Sequence, residues 1–345
     1  MSRAALPGRL YQPVPGFESH LLAELRKPGA EISRLGSLLH DPSEPAAQVA
    51  AREDAQIAAQ KAGGLDGAAP LPAAPLPAAP PADVFWHQNC WLEPFRVEFS
   101  SISEAVACLR GIQRNWAPCL HGFFRRGALI ASKLPPISAK PRPFPWAPGE
   151  SPVGAWALLG ERVMIASARC SSPFPGGAIE FERDREGPPS RAYLKLWEAL
   201  ARLGKWPAPG ERCLDAGASP GGWTWALARL GASVLAVDPA PLEKRVADMP
   251  GVDFLRRDVF ALKPEDVGQV DWLFCDVACY PPKLHEWIEK WLASGLCQNF
   301  VCTIKMQGDV GSADFETPKR FARIPGGAVV HLYHNKHELT WMRSA

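Results

Sequence analysis

The sequence predicts an α/β chain: a mostly parallel, seven-stranded sheet with helices on both faces, preceded by a smaller α+β region. Three observations predict it. From about residue 188, short apolar runs alternate with helix-length stretches to the end of the chain, which is the pattern of crossover units rather than hairpins. Charged residues close successive strand-like runs, at Asp215, Asp238, Asp276 and Lys305, and ligands of such sheets bind beyond the carboxyl ends of the strands. Before residue 180 this regularity is absent, and an Ala/Pro-dense tract interrupts the chain.

The 345 residues are enough for about two domains at roughly 100–200 residues each. Residues 1–41 open the N-terminal region, where Leu10–Lys27 starts as a strand and continues as an amphipathic helix. Residues 42–82 are expected to be a disordered Ala/Pro-rich linker, with a marginal helix at Ala46–Ala62, because proline removes donors and stiffens the chain toward polyproline II. Residues 83–180 read as mixed strand and helix. Ser103 is the expected N-cap of a helix reaching about Arg114, Pro135 to Pro152 is loop, and Gly160–Arg169 is a strand. The last domain, 181–345, should have a helix at 190–203, then strands at 211–216, 233–237, 252–257, 271–276 and 298–305. A closing strand pair falls near 328–334 and 337–343, with helices at 221–230, 241–248, 282–294 and 313–323.

Composition narrows the class. Apolar residues make up 47% and the net charge is +2, so global charge does not mark a nucleic-acid binder. Nine cysteines without a CxxC pair read as free thiols of a reducing compartment, and no metal is expected from their spacing. There is no basic-then-apolar leader and no run of 18 apolar residues, so a cytoplasmic location without a membrane span is expected.

The run Asp215-Ala216-Gly217-Ala218-Ser219-Pro220-Gly221-Gly222-Trp223 has the form of strand, glycine-rich turn and helix start. Glycine lets backbone approach a ligand, and the helix start adds N–H donors. An acid at the strand end would repel a phosphate. It suits a cationic nucleoside with an amine, which is S-adenosylmethionine. The dinucleotide fingerprint fails because Asp215 stands where its first glycine belongs. Asp238 could accept from ribose hydroxyls and Asp258 from the adenine amine; both also read as caps or turns. The expected cofactor residues are therefore Asp215, Gly217, Ser219, Pro220, Gly221, Gly222, Trp223, Asp238 and Asp258.

Lys305 at the end of an apolar strand needs a partner or a task. Taken alone, a salt bridge with Asp276 that closes the strand ends would serve. With Lys195 in Ser190-Arg-Ala-Tyr-Leu-Lys195-Leu and Glu338 in His334-Asn-Lys-His-Glu338, a second reading opens. Lys195, Asp276, Lys305 and Glu338 resemble, in order, the Lys-Asp-Lys-Glu tetrad of FtsJ-like ribose 2′-O-methyltransferases. The segments SRAYLKL, DAGASPGGW, TIKMQ and HLYHNKHELT look most like the bacterial large-subunit ribosomal RNA cytidine 2′-O-methyltransferase (RlmM) family. The resemblance is specific over 188–345 and loose over 1–180, where Pro15-Gly-Phe-Glu18 resembles the family's start. It implies a Rossmann-like S-adenosylmethionine-dependent methyltransferase domain after a THUMP-like RNA-binding region. It implies that Lys305 deprotonates a ribose 2′-hydroxyl while Asp276, Lys195 and Glu338 orient it. The lysines would depress each other's pKa and the carboxylates would raise it, so the sequence leaves the sign of the net shift open. Departures are the linker and the short stretch between Lys305 and Glu338. Alternatives are methylation of another RNA, or a non-catalytic RNA-binding or ribosome-assembly factor.

Ribosomal RNA, the expected partner, would need phosphate neutralisation and stacking. From Ala105 to Gly149 there are seven basic residues and no acid. Within that window Arg125, Arg126, Lys133, Lys140 and Arg142 are the expected RNA contacts, interleaved with Trp116, Phe123, Phe124, Phe144 and Trp146. The bland alternative makes Phe123 and Phe124 core and the charges a solvated face. The sequence leaves the oligomeric state open.

Overall fold

The computed structural model describes residues 1–26, 31–43, 83–138, 140–308 and 310–345. Almost all of the expected 42–82 linker, and the expected helix at 46–62, lie outside the described residues. The chain divides into two compact units, Met1–Lys140 with Gly149–Ala178, and Pro141–Pro148 with Ile179–Ala345.

In the first unit β1 (Ser2–Ala5), β2 (Arg9–Pro13), α1 (Glu18–Leu25), β3 (Ser33–Leu35) and β4 (Leu38–Asp41) are followed by β5 (His87–Trp91) and β6 (Phe95–Glu98). Then come α2 (Ile102–Arg110), β7 (Trp116–Pro118), α3 (Phe124–Ala131), β8 (Gly154–Gly160) and β9 (Val163–Ser167). They build a five-stranded sheet in the order β1-β6-β9-β8-β7 and a four-stranded sheet in the order β3-β4-β2-β5. The N-cap of α2 is Ser101, not Ser103. Its side chain accepts from Glu104 N, and Glu104 in turn accepts from Ser100 N, so both ends of the S-x-x-E spacing are used. The helix stops at Gly111, earlier than expected. The expected strand at Gly160–Arg169 is the second arm of a hairpin whose first arm, β8, was not assigned from sequence.

The second unit runs α4 (Tyr193–Leu203), β10 (Arg212–Ala216), α5 (Gly222–Arg229), β11 (Ser233–Val237), α6 (Lys244–Ala247), β12 (Val252–Leu255), α7 (Pro264–Val267) and β13 (Trp272–Cys275). It ends with α8 (Pro281–Ser294), β14 (Asn299–Lys305), α9 (Glu316–Ala322), β15 (Gly327–Val330) and β16 (Glu338–Arg343). The sheet order is β12-β11-β10-β13-β14-β16-β15. Its five strands from β12 to β14 are parallel, and β16 and β15 close the edge antiparallel. The chain leaves β10 toward β11 and β12 and returns to β13 on its other side. That reversal opens a crevice at the carboxyl ends of β10 and β13. The central strands β10, β13 and β14 are almost wholly buried, as two-sided coverage by helices requires.

Helix α4 is buried from Tyr193 to Ala201, which is unusual for a helix carrying Lys195 and Glu198. Part of its cover comes from far back in the chain. Arg142 pairs with Glu180 and Glu182 through its backbone. Two residues on, Phe144 stacks on Trp197 with centroids 4.9 Å apart at 11° and meets Phe181 and Trp206 edge-on. Phe144 therefore serves packing, and Trp116, at 2% exposure, is core. Phe123 and Phe124 are exposed instead, at 44% and 63%, against the reading that made them core.

Candidate active site

Four elements bring two lysines and two acids together. Lys305 ends β14 and Glu338 opens β16, and the antiparallel register sets them opposite one another. Asp276 follows β13 directly, held by its amide to Ala216 O at 3.2 Å. Lys195 lies on the third position of α4. The four close a ring: Lys195 Nζ is 2.7 Å from Asp276 and 3.0 Å from Glu338, and Lys305 Nζ is 2.5 Å from Asp276 and 2.6 Å from Glu338. Each ammonium touches both carboxylates and each carboxylate both ammoniums, so the set is neutral as a whole. Lys305 is the most open member, with 23% of its side chain exposed against 10–16% for the other three. Burial costs each charge several kcal/mol, which this pairing offsets.

The electrostatics follow from that balance. For Asp276, burial favours the acid form, but Lys195 and Lys305 outweigh it and hold the carboxyl below its ordinary range. The same competition lowers Glu338. For Lys305, burial favours the neutral amine, yet Asp276 and Glu338 prevail and raise its pKa above the ordinary lysine value. The carboxylates therefore win the contest that the sequence left open. At rest Lys305 is an ammonium that donates to two acids.

Asp215 differs. It is the penultimate residue of β10, not its last, and is 1% exposed. Burial pushes its carboxyl up to about 7, against a hydrogen bond from Thr224 that favours the anion. Thr224 Oγ1 donates to Oδ2 at 2.6 Å, while the buried Oδ1 has no hydrogen-bond partner among the described residues. Asp238 follows β11 and accepts from Ser219 N at 3.1 Å and Ala240 N at 2.8 Å. Asp258 caps the short turn Val259–Ala261 through Phe260 N at 3.1 Å. Both are thus turn residues as well as candidates, and each oxygen retains acceptor capacity.

Protein packing also constrains the glycine turn. Gly217 has φ +81°, and a Cβ there would stand 2.5 Å from Val277. Gly222 would meet Ser190 Oγ at 2.4 Å. The amides of Gly217 and Ala218 go to Val237 O and that of Ser219 to Asp238. Pro220 precedes Gly221, the N-cap of α5, and so sits in the turn before the helix. Trp223 is 3% exposed, donates its indole N–H to Ala192 O at 2.9 Å, and lies with its ring 6.0 Å from Lys195 Nζ.

Two residues that the sequence reading passed over hold the site in place. Glu198 is fully buried one turn after Lys195. Its Oε1 accepts from Arg202 at 2.9 Å and from Tyr333 N at 2.9 Å, and its Oε2 from His334 N at 3.1 Å. Helix α4 thereby grips the loop that leads into Glu338. Asn335, also buried, bonds Glu338 O and Thr340 Oγ1 at 3.1 Å each. Nothing in the sequence marks Glu198, because its role is to accept backbone amides far along the chain. His334 and His337 lie in the loop that joins β15 to β16, and His334 is half-buried.

Among the expected RNA contacts, Arg125, Lys133 and Lys140 are exposed. Arg126 lies over the Phe99 ring at 5.7 Å and Arg142 over Trp146 at 4.9 Å, so both have structural partners. Among the described residues no cluster of His, Cys, Asp or Glu could hold a metal ion. No described helix is long and apolar enough to cross a membrane. All nine cysteines are free, seven of them buried.

Residues 188–324 match the FtsJ-like methyltransferase family, and they carry the five parallel strands of the Rossmann-like sheet. The match spans Lys195, Asp276 and Lys305 and ends before Glu338. The chain is similar to "Ribosomal RNA large subunit methyltransferase M" of Halorhodospira halophila, 37% identical over 48% of this chain and 50% of the relative. It is similar to the proteins of that name from Xanthomonas axonopodis (32%, over 59% and 57%) and Azotobacter vinelandii (34%, over 51% and 53%). The chain thus spans about half the length of the curated relatives it matches.

Proposed function

We propose that this chain is an S-adenosylmethionine-dependent ribose 2′-O-methyltransferase acting on RNA, with large-subunit ribosomal RNA as its substrate and the cytoplasm as its location. The observation that carries the reading is the neutral ring of Lys195, Asp276, Lys305 and Glu338, built by residues 81, 29 and 33 positions apart. It lies beside the sheet's reversal point. A structural salt bridge needs two charges; four, with one lysine left partly open, suit a group that handles a proton.

The donor set fits the cofactor. Asp215 keeps a buried oxygen without a hydrogen-bond partner among the described residues, and Asp238 and Asp258 keep acceptor capacity at adjacent strand ends. With Gly217, Ser219, Pro220, Gly221, Gly222 and Trp223 framing the turn, these residues would hold S-adenosylmethionine. When bound, that cofactor supplies a methyl group on a positively charged sulfur. Lys305 takes up the proton that the ribose 2′-hydroxyl loses, which requires the neutral amine and hence release of a proton from the ring. Asp276 and Glu338 direct the Nζ lone pair, and Lys195 keeps both acids ionised while this occurs. Arg125, Lys133 and Lys140 are the proposed phosphate contacts, in an N-terminal RNA-binding region that ends near residue 180.

The test is methyl transfer from labelled S-adenosylmethionine to a large-subunit ribosomal RNA transcript, with the product nucleotide identified by mass spectrometry. Wild type should yield a 2′-O-methyl nucleoside, and Lys305→Ala should lose roughly 10²–10⁴ in rate. A methyl group on a base would overturn the reaction. Transfer to transfer RNA alone would overturn the substrate. A chain that binds RNA equally with and without Lys305, and never transfers a methyl group, would be a non-catalytic RNA-binding factor.

A further inference from the structure

We propose that the outward face of α3 is a docking surface for single-stranded RNA, its bases stacking on Phe123 and Phe124 and its phosphates held by Arg125 and Lys133. The inference rests on the RNA reading above and assigns it a surface. On a surface helix the outward stripe should be polar. The inward side of α3 is Gly127 and Ile130, and the opposite side presents Phe124, Arg125, Ala128 and Leu129, all exposed. Seven large hydrophobic side chains are exposed among the described residues, and Phe123, Phe124 and Leu129 are three of them. Phe123 carries a second mark. Its φ of 52° is the one positive φ of a non-glycine residue among the described residues, a conformation that a bulky side chain disfavours. The backbone holds this ring outward at a cost that burial does not offset.

Charge selects the partner. The exposed rings stand in the span from Ala105 to Gly149, which has seven cations and no acid. An apolar patch meant for a protein partner has no need of an acid-free flanking sequence. A single strand of RNA offers a polyanionic backbone together with flat base faces, the combination that rings between cations accept. Paired RNA keeps its bases stacked inside the duplex, so it would use the cations and not the rings.

The experiment uses the full chain and a short unstructured RNA containing 2-aminopurine, whose fluorescence reports stacking, beside a duplex of the same composition. Phe123→Leu and Phe124→Leu keep an apolar side chain on the surface and remove the ring; circular dichroism checks the fold. Each should weaken single-strand binding about tenfold, within the roughly 5–150-fold that stacking commands, and reduce the fluorescence change, with duplex binding unmoved. Arg125→Gln should lower the salt slope by about one. Folded Phe variants that bind the single strand as wild type does would overturn the proposal, including the case in which the patch docks a protein. Methyl transfer by wild type is measured in parallel. Ring-dependent binding without any methyl transfer would defeat the enzymatic reading and leave this surface standing. Methyl transfer with ring-independent binding would defeat this surface alone.

Discussion

Lys305 can accept a proton only as the neutral amine, and Asp276 and Glu338, at 2.5 and 2.6 Å, favour the ammonium. If the amine is the base, methyl transfer should rise about tenfold per pH unit through neutrality and keep rising toward the ordinary lysine range. Glu338→Gln removes one of the charges that raise Lys305, so its profile should level off at lower pH, with a lower maximum. Rates insensitive to pH from about 6 to about 9 would exclude Lys305 as base. Stability responds at the other end of the scale. Asp276 and Glu338 are depressed, so their contribution is present above the unfolded carboxyl values and lost as pH falls through the folded ones. Asp215 has the opposite sign. Its carboxyl is raised to about 7, so the folded state keeps a proton that the unfolded chain has released, and stability falls as pH climbs from the ordinary aspartate range to about 7. Asp215→Asn, which still accepts from Thr224, should therefore raise the Tm of the ligand-free protein at about pH 8 and change it little at about pH 4. A Tm difference independent of pH would mean that Asp215 is not the titrating group.

Helix α4 shows how one element supports the site from two positions a turn apart. Lys195 completes the ring, while Glu198 accepts the amides of Tyr333 and His334 and thereby fixes the entry to β16. Glu198→Ala would leave two amides and the Arg202 contact uncompensated in a buried place, and should cost about 3–5 kcal/mol in denaturant unfolding. Where the protein still folds, the loss of activity should fall on kcat rather than KM, because the ring and not the binding surface loses its register. Glu198→Gln keeps an acceptor and should recover part of both. Equal kcat in all three proteins would reduce Glu198 to a packing role. The strands and most helices of this unit were legible because their apolar runs are long and bounded by Gly, Pro and Asp. Helix α6 came out shorter than expected, since Pro239 and Pro241 delay its start. Lys195, Asp276, Lys305 and Glu338 could be named because strand ends and a resemblance singled them out. Glu198 could not, because its partners are backbone amides 135 and 136 positions away, and no side-chain pattern announces a backbone contact. The packing demand on the glycines was illegible for the same reason. Their neighbours, Val277 and Ser190, come from other elements.

At the scale of the whole molecule, chain order and compact unit do not coincide. Residues 141–148 lie between α3 and β8, both of the first unit, yet belong to the second. In sequence they look like part of a basic, aromatic-bearing loop, and only the fold shows that Phe144 is taken up by Trp197, Phe181 and Trp206. Since Trp197 lies between Lys195 and Glu198 on α4, a segment far from the strand ends bears on the helix that serves them. Phe144→Ala removes a half-buried ring and should cost about 1–2 kcal/mol, less than full burial of an aromatic side chain is worth. Because the lost contacts are on α4, hydrogen exchange should speed up in Tyr193–Leu203 more than in the parallel strands. The rate of methyl transfer should fall at fixed RNA affinity, as α4 holds Lys195 less rigidly. Unchanged exchange across α4 would show that the helix is held by the sheet alone, and the proline-rich segment would then be no more than a connection between β8 and what precedes it.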